Sequence, residues 1–246
     1  MAGDARRIAM LVIAALVLAL LVAGGFGIWY LFLRPAGPAA IDAASTALPS
    51  SLPSSAPLTG GLDGTWKVDT SIGGSAADLS DASFVGYRVQ EQLAGIGANT
   101  AVGRTSKVSG SLTIAGSQVP AVTVEADLTA LTSNDGNRDR QLGNQGIQTN
   151  QFPTATFKLT SPLDLGSVPT DGKQVSVTAK GELTLHGVTK AVDMPLTATL
   201  SGSVIVVRGS LPITFADYGV QKPNSFKVLS IDDHGTMELQ LFFTKS

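Results

Sequence analysis

The residues best suited to metal ligation or proton transfer are His186 and His234, and the chain has no cysteine. A metal site would need both histidines and a carboxylate to converge from separate turns. Taken singly, each reads as a solvated turn residue. Asp232 and Asp233 are adjacent, and successive strand residues point to opposite faces, so in a strand they make no acid/base pair. Arg138-Asp139 reads as a helix cap or loop pin. No Gly-x-Ser-x-Gly elbow is present. Residues 94–103 are glycine-rich, but an alternating segment, 105–114, follows instead of a strand–helix–strand unit, which argues against a phosphate-binding loop. No catalytic residue, metal or cofactor is therefore expected.

What remains is strand patterning. In Lys173 to Leu200, Val175, Val177, Ala179, Leu183 and Leu185 share one parity, against Ser176, Thr178, Lys180, Glu182 and Thr184. The alternation breaks at His186-Gly187 and resumes shifted, with Val188, Val192, Met194, Leu196, Ala198 and Leu200 in phase. Two strands with one wet and one apolar face, joined by a tight turn, form a β-hairpin. Similar alternation occurs over 62–68, 83–93, 105–114, 119–131, 154–160 and 204–215. Gly209 and Pro212 mark a bend or edge in the last. Residues 227–231 and 237–243 read as a closing hairpin across Asp233-His234-Gly235. Asp135 is placed to cap a short helix carrying Arg138, Asp139 and Leu142. The sum is an all-β domain of eight or nine strands with one helical excursion. A sandwich and a closed antiparallel barrel share this pattern.

The remainder of the chain is of another kind. Ile8 to Leu33 is an uncharged run of 26 residues, enough to cross a hydrocarbon core of about 30 Å. Arg6 and Arg7 precede it, Arg34 follows, and Trp29 and Tyr30 suit the far interface. That charge bias puts residues 1–7 in the cytoplasm and the large C-terminal part outside. The run is longer than a cleaved signal's apolar region, so an uncleaved anchor over 8–33 is expected. Residues 34–61 are rich in Pro, Ser and Ala and read as a disordered linker, leaving 62–246 as the globular domain. Of 17 Lys+Arg, three precede Leu62, and of 19 Asp+Glu, two do, so the domain carries 14 cations against 17 anions. That balance excludes a nucleic-acid surface.

Three strings lie in order: Asn137-Arg138-Asp139-Arg140-Gln141-Leu142, then Phe152-Pro153-Thr154-Ala155-Thr156-Phe157, then Gly181-Glu182-Leu183-Thr184-Leu185-His186-Gly187-Val188-Thr189-Lys190. With Ala216-Asp217-Tyr218-Gly219 they resemble the YceI-like family over Gly64 to the C-terminus. The resemblance implies a lipocalin-like antiparallel β-barrel with a long apolar channel. It also implies binding of polyisoprenoid-type amphiphiles, such as an isoprenoid quinone or polyprenyl lipid, outside the cytoplasm. Many members carry histidines on the first two strands, where this chain has Val68-Asp69-Thr70 and Arg88-Val89-Gln90-Glu91. Apolar lining does not depend on them.

By pattern alone the apolar faces are plain core; with the resemblance they become cavity lining. The expected lining is Tyr87, Phe157, Phe215 and Tyr218, with Val85, Val89, Leu183 and Leu185 beside them. Leu142 and Phe152 fall under the helical flap at a mouth. The expected role is a membrane-anchored lipid binder whose partners are a long-chain lipid and the bilayer; a homodimer is compatible with it. The alternatives are a non-catalytic envelope interaction module with a filled core, and a metal-dependent enzyme using His186 or His234.

Overall fold

Alternating polar and apolar residues drive most of the C-terminal part into antiparallel strands, which bury one face and leave the other free. The computed structural model describes residues 2–28, 37–41, 45, 47–53, 58, 60–74, 79–225 and 227–246. Its strands are β1 (Gly64–Val68), β2 (Phe84–Leu93), β3 (Gly97–Thr105), β4 (Val108–Ala115), β5 (Gln118–Asp127), β6 (Thr132–Ser133), β7 (Thr154–Leu159), β8 (Leu163–Asp164), β9 (Gln174–Leu185), β10 (Val188–Ser201), β11 (Val204–Thr214), β12 (Val228–Ile231) and β13 (His234–Lys245). Eight of them run β1-β4-β5-β7-β9-β10-β11-β13, and β13 returns to β1 with Trp66 opposite Lys245. The architecture is thus a closed antiparallel barrel rather than a sandwich. The N-terminal half of β13 pairs instead with β2, which carries β3, β6 and β12 as a side extension.

The β9–β10 hairpin forms in the expected register, Leu185 facing Val188. His186 and Gly187 have φ of 53° and 75°, the two positive values that a type I′ turn requires. Asp135 caps α2 (Gly136–Gln141), its carboxylate accepting from the Asn137 and Arg138 amides at 2.9 and 3.4 Å.

The glycine-rich segment contains strand β3, where Gly103 is needed because a Cβ there would come within 2.4 Å of the Tyr87 ring. β11 pairs with β13 along its whole length but with β10 only over 204–209, so the ladder to β10 ends at Gly209 and Pro212 falls on the stretch that has a free edge, as its missing N–H suits. β12 makes no hairpin with β13 but pairs with β2, because both sides of β13 are taken by β11 on one and by β2 and β1 on the other.

The interior holds two apolar clusters. One contains Trp66, Leu112, Ile205, Leu241 and Phe243, and the Trp66 indole donates to the Leu62 carbonyl at 2.9 Å. The other contains Leu183, Met194, Leu211, Ile213 and Tyr218. Outside the wall, Val204, Val206 and Phe242 are also buried, packed by Leu52 and Ile72. This explains the unbroken apolar runs at 204–207 and 241–243: both strand faces are covered there.

The covering comes from part of the segment expected as a disordered linker. Glu238 on the outer wall accepts from Arg88 Nε at 2.9 Å and from Arg104 Nη2 at 2.9 Å. The Arg104 Nη2 group also donates to the Ala39 carbonyl at 2.8 Å, Arg88 donates to the Pro38 carbonyl, and Arg208 Nη1 donates to the Ser45 carbonyl at 3.1 Å. Buried cations demand acceptors, and backbone carbonyls supply them. The described residues of this segment therefore run against the barrel wall.

The N-terminal unit, residues 1–36, contains helix α1 (Ala2–Ile28), 27 residues long. Its described side chains include Leu11, Ile13, Leu16, Leu20 and Leu21, all at least 60% exposed. Among the described residues no helix is long and apolar enough to cross a membrane. The rest of the expected span, 29–33, with Trp29 and Tyr30, lies outside the described residues.

Candidate functional site

Inward-facing residues of the eight-stranded wall leave a cavity of about 130 Å³ in the barrel. Its wall runs from Leu62, Leu163 and Leu165 at one end to Leu183, Met194 and Met237 toward the other, and Thr156 is the one polar residue on it. Leu196 and Ala198 point inward yet are only partly buried, because their free surface faces this space. An apolar cavity of this kind stays dry, and one of about 150 Å³ accepts a benzene-sized guest. The space in this barrel therefore seats roughly one aromatic ring or one isoprene unit. A longer tail needs the two interior clusters to part where Val122, Leu163 and Leu196 pack against both, and the flexible Met194 and Met237 side chains of the second cluster stand on the cavity wall.

Of the expected lining, Val85, Phe157 and Leu183 stand on the cavity wall. Tyr218 and Leu185 belong to the second interior cluster. The Phe215 ring and Val89 lie beside Gly235, away from the cavity. Phe152 packs against His186 with ring centroids 4.3 Å apart and planes tilted by 57°, and Leu142 folds over Gly146 in the turn after α2; neither is on the cavity wall. Tyr87 faces Met237 across β2 and β13 but is itself off the wall. The expectation weights aromatic residues, whereas the wall is mostly aliphatic: Val122, Val124, Leu196, Val207 and Leu239 line it beside Phe157 and Phe243. Strand parity selects four of them; Val207 lies in the unbroken apolar run 204–207, where parity does not choose a face.

The barrel end toward α2 is held by polar contacts. Arg138 Nη2 donates to Glu91 Oε1 at 2.6 Å, tying α2 to the inner face of β2, and Asn99 donates to the same oxygen at 2.7 Å. Asp139 accepts from the Ser133 amide and hydroxyl at 3.0 and 2.6 Å. Arg138 and Asp139 thus pin α2 through separate partners rather than to each other. His186 Nδ1 lies 2.9 Å from the Tyr218 carbonyl, which can only accept, so Nδ1 carries the hydrogen. Its Nε2 faces the Gln148 side-chain amide at 3.0 Å. Both ring nitrogens are therefore engaged within the fold. His234 is exposed and sits 2.8 Å from Asp233 Oδ1. That hydrogen bond, with the charge of Asp232 nearby, raises its pKa. Among the described residues no three His, Asp or Glu side chains are grouped to hold a metal ion.

Residues 77–243 match the family model described as YceI-like domain. Among the solved structures that resemble the barrel, two are similar over nearly all of their own length. One is a polyisoprenoid binding domain from Saccharophagus degradans implicated in plant cell wall breakdown: TM-score 0.55, 20% identity, covering 74% of this chain and 98% of that one. The other is BcnA of Burkholderia cenocepacia: TM-score 0.50, 19% identity, covering 67% of this chain and 98% of that one. At these identities the likeness concerns the fold. No curated protein sequence matches the chain.

Proposed function

The chain belongs to the YceI-like family, and from that premise we propose that its barrel binds a long isoprenoid-type amphiphile by burying the tail, without covalent chemistry. The observation that carries this reading is the cavity, whose wall is apolar but for Thr156, with Phe157 and Phe243 among otherwise non-aromatic side chains. Such a wall offers nothing to polarise or protonate a substrate, but it rewards each buried methylene by about 0.8 kcal/mol. The polyisoprenoid of the Saccharophagus degradans domain is carried over here as a ligand class. In this reading the apolar run 8–33, which begins in α1 and continues past the end of that helix, anchors the protein in the cell membrane with residues 1–7 inside and the barrel outside. The exposed Leu, Ile and Val side chains of α1 and the Arg6-Arg7 pair before the apolar run support that orientation.

The cavity's small volume favours one second reading, a filled-core interaction module that binds no lipid. Organic extraction of the purified full chain, with mass spectrometry of the extract, separates the two. A co-purified prenyl lipid is expected. An empty extract, together with no uptake of added prenyl lipid, supports the filled-core module. The orientation is tested by a Ser246→Cys variant of this cysteine-free chain: a membrane-impermeant maleimide should label it on intact cells.

A further inference from the structure

The segment between the apolar run and the barrel has the composition of a long tether, but docking on the wall shortens it. Along the outside of β13 the Pro38 and Ala39 carbonyls accept from Arg88 and Arg104, which hold Glu238. The Ser45 carbonyl accepts from Arg208, which also donates to Gln240, and Leu52 packs on Val204, Val206 and Phe242. This strap therefore climbs β13 from Glu238 toward Phe242 and first meets the wall at the end where β13 begins. That is the end of α2 and the His186 turn, since Thr214 pairs with His234, His186 bonds the Tyr218 carbonyl and Arg138 holds Glu91. Gly37 already lies against β3, where a Cβ would be 3.1 Å from the Val102 side chain. Only Arg34, Pro35 and Ala36 separate it from Leu33, the last residue of the apolar run. Four residue steps span at most about 14 Å.

The β2–β3 hairpin extends at least as far. From Val102 it continues about 20 Å toward its turn at Ile96. Ile96 is 40% exposed there, between Gly95 and Gly97. Beside it on β12, Leu229 is 71% exposed, the highest value for a large apolar residue of the barrel unit among the described residues. A β-bulge puts it outside: Val228 pairs with Leu93 and Ser230 with Gln92, which leaves Leu229 unopposed. The Ala94 amide donates to the Lys227 carbonyl at 2.9 Å and joins β12 to the turn. Single exposed apolar residues are ordinary; these two share the tip next to which the chain arrives from the apolar run.

Resting on the anchored reading above, we propose that this tip is a bilayer-facing surface. The docked strap holds it at the membrane, and Ile96 and Leu229 enter the boundary between headgroups and acyl chains. The charged residues flanking β12, Lys222 and Lys227 against Asp232 and Asp233, are equal in number, so the contact takes a neutral bilayer. The cavity's Leu183, Met194 and Met237 lie toward this same end.

The test uses the full chain, cysteine-free, reconstituted into phosphatidylcholine vesicles. Ile96→Cys, Leu229→Cys and Val168→Cys each carry a bimane label. Val168 is 56% exposed and lies near Gly172, whose amide bonds the Leu200 carbonyl at the opposite end of the barrel. Phosphatidylcholine bearing a nitroxide high on the acyl chain should quench the labels at 96 and 229 and leave 168 bright. A Gly-Ser insertion of about twelve residues after Ala36 lengthens the tether about fourfold. It lowers the effective concentration of the tip at the bilayer about eightfold, so quenching at both positions should fall. Labels at 96 and 229 as bright as at 168 overturn the inference, as does quenching that the insertion leaves undiminished. In both results the anchor survives, because the chain still floats with the vesicles and resists alkaline carbonate. A chain that neither floats nor resists carbonate refutes the anchored reading, and the inference falls with it.

Discussion

Ala198→Phe tests whether the barrel cavity is where a lipid tail lies. Ala198 points inward between Val175 of β9 and Val207 of β11, both on the wall. The substitution projects a phenyl ring into a cavity of about 130 Å³, close to the volume that holds a benzene. Filling it recovers at most about 3 kcal/mol, at roughly 24 cal/mol per Å³, and overpacking takes back about 1–3 kcal/mol. The fold should therefore be unchanged or stabilised by up to about 2 kcal/mol, a rise in melting temperature of no more than about 8 °C. A tail that loses one isoprene unit's seat forfeits five carbons at about 0.8 kcal/mol each, or about 4 kcal/mol and a thousandfold in Kd. Thermal unfolding by circular dichroism reads the first quantity, and titration of the full chain with a prenyl quinone reads the second. A variant that melts at or above the wild-type temperature and still binds the quinone equally well refutes the reasoning, because the tail must then lie elsewhere.

Arg138→Ala should cost about 3 kcal/mol in urea unfolding, since it strands the buried Glu91 carboxylate; Arg138→Met with Glu91→Gln should cost less than Arg138→Ala alone. Gly187→Ala should cost about 2 kcal/mol in the same assay, because φ there is 75° and the new Cβ would lie 2.7 Å from the Phe152 ring. His234 should titrate above 6.5 in an NMR pH series, owing to its hydrogen bond with Asp233, and Asp233→Asn should bring it down. The same bond lowers the Asp233 pKa. Its small stabilisation should thus be present at mildly acid pH. It is lost as pH rises through the raised His234 value or falls through the lowered Asp233 value, and added salt should weaken it.

Local features of this protein were legible in the order of its residues. Parity along Val175 to Leu185 and Val188 to Leu200 gives the two faces of β9 and β10, because the side-chain period of a strand is a property of the backbone itself. The His186-Gly187 turn and the Asp135 cap are equally local, each decided within four residues. Partner choice was not legible in the same way. β12 reads as the mate of β13, yet ring closure gives β13 to β11, β2 and β1, and β12 goes to β2. The segment before the barrel reads as a free tether because it lacks large apolar residues, yet its carbonyls meet Arg88, Arg104 and Arg208 on the outer wall.

The sequence by itself determined which residues of the cleanly alternating strands face inward, where the β9–β10 hairpin reverses and which family the chain resembles. Only the tertiary structure decided that the wall closes at β1 and β13, that the space inside is about 130 Å³ and apolar, and that the Tyr87 hydroxyl has no hydrogen-bond partner among the described residues. The reason is physical. Facing is settled by the backbone one residue at a time, whereas a remaining volume, or a bond left unmade, is a difference between the space eight strands enclose and the side chains that all of them bring to it.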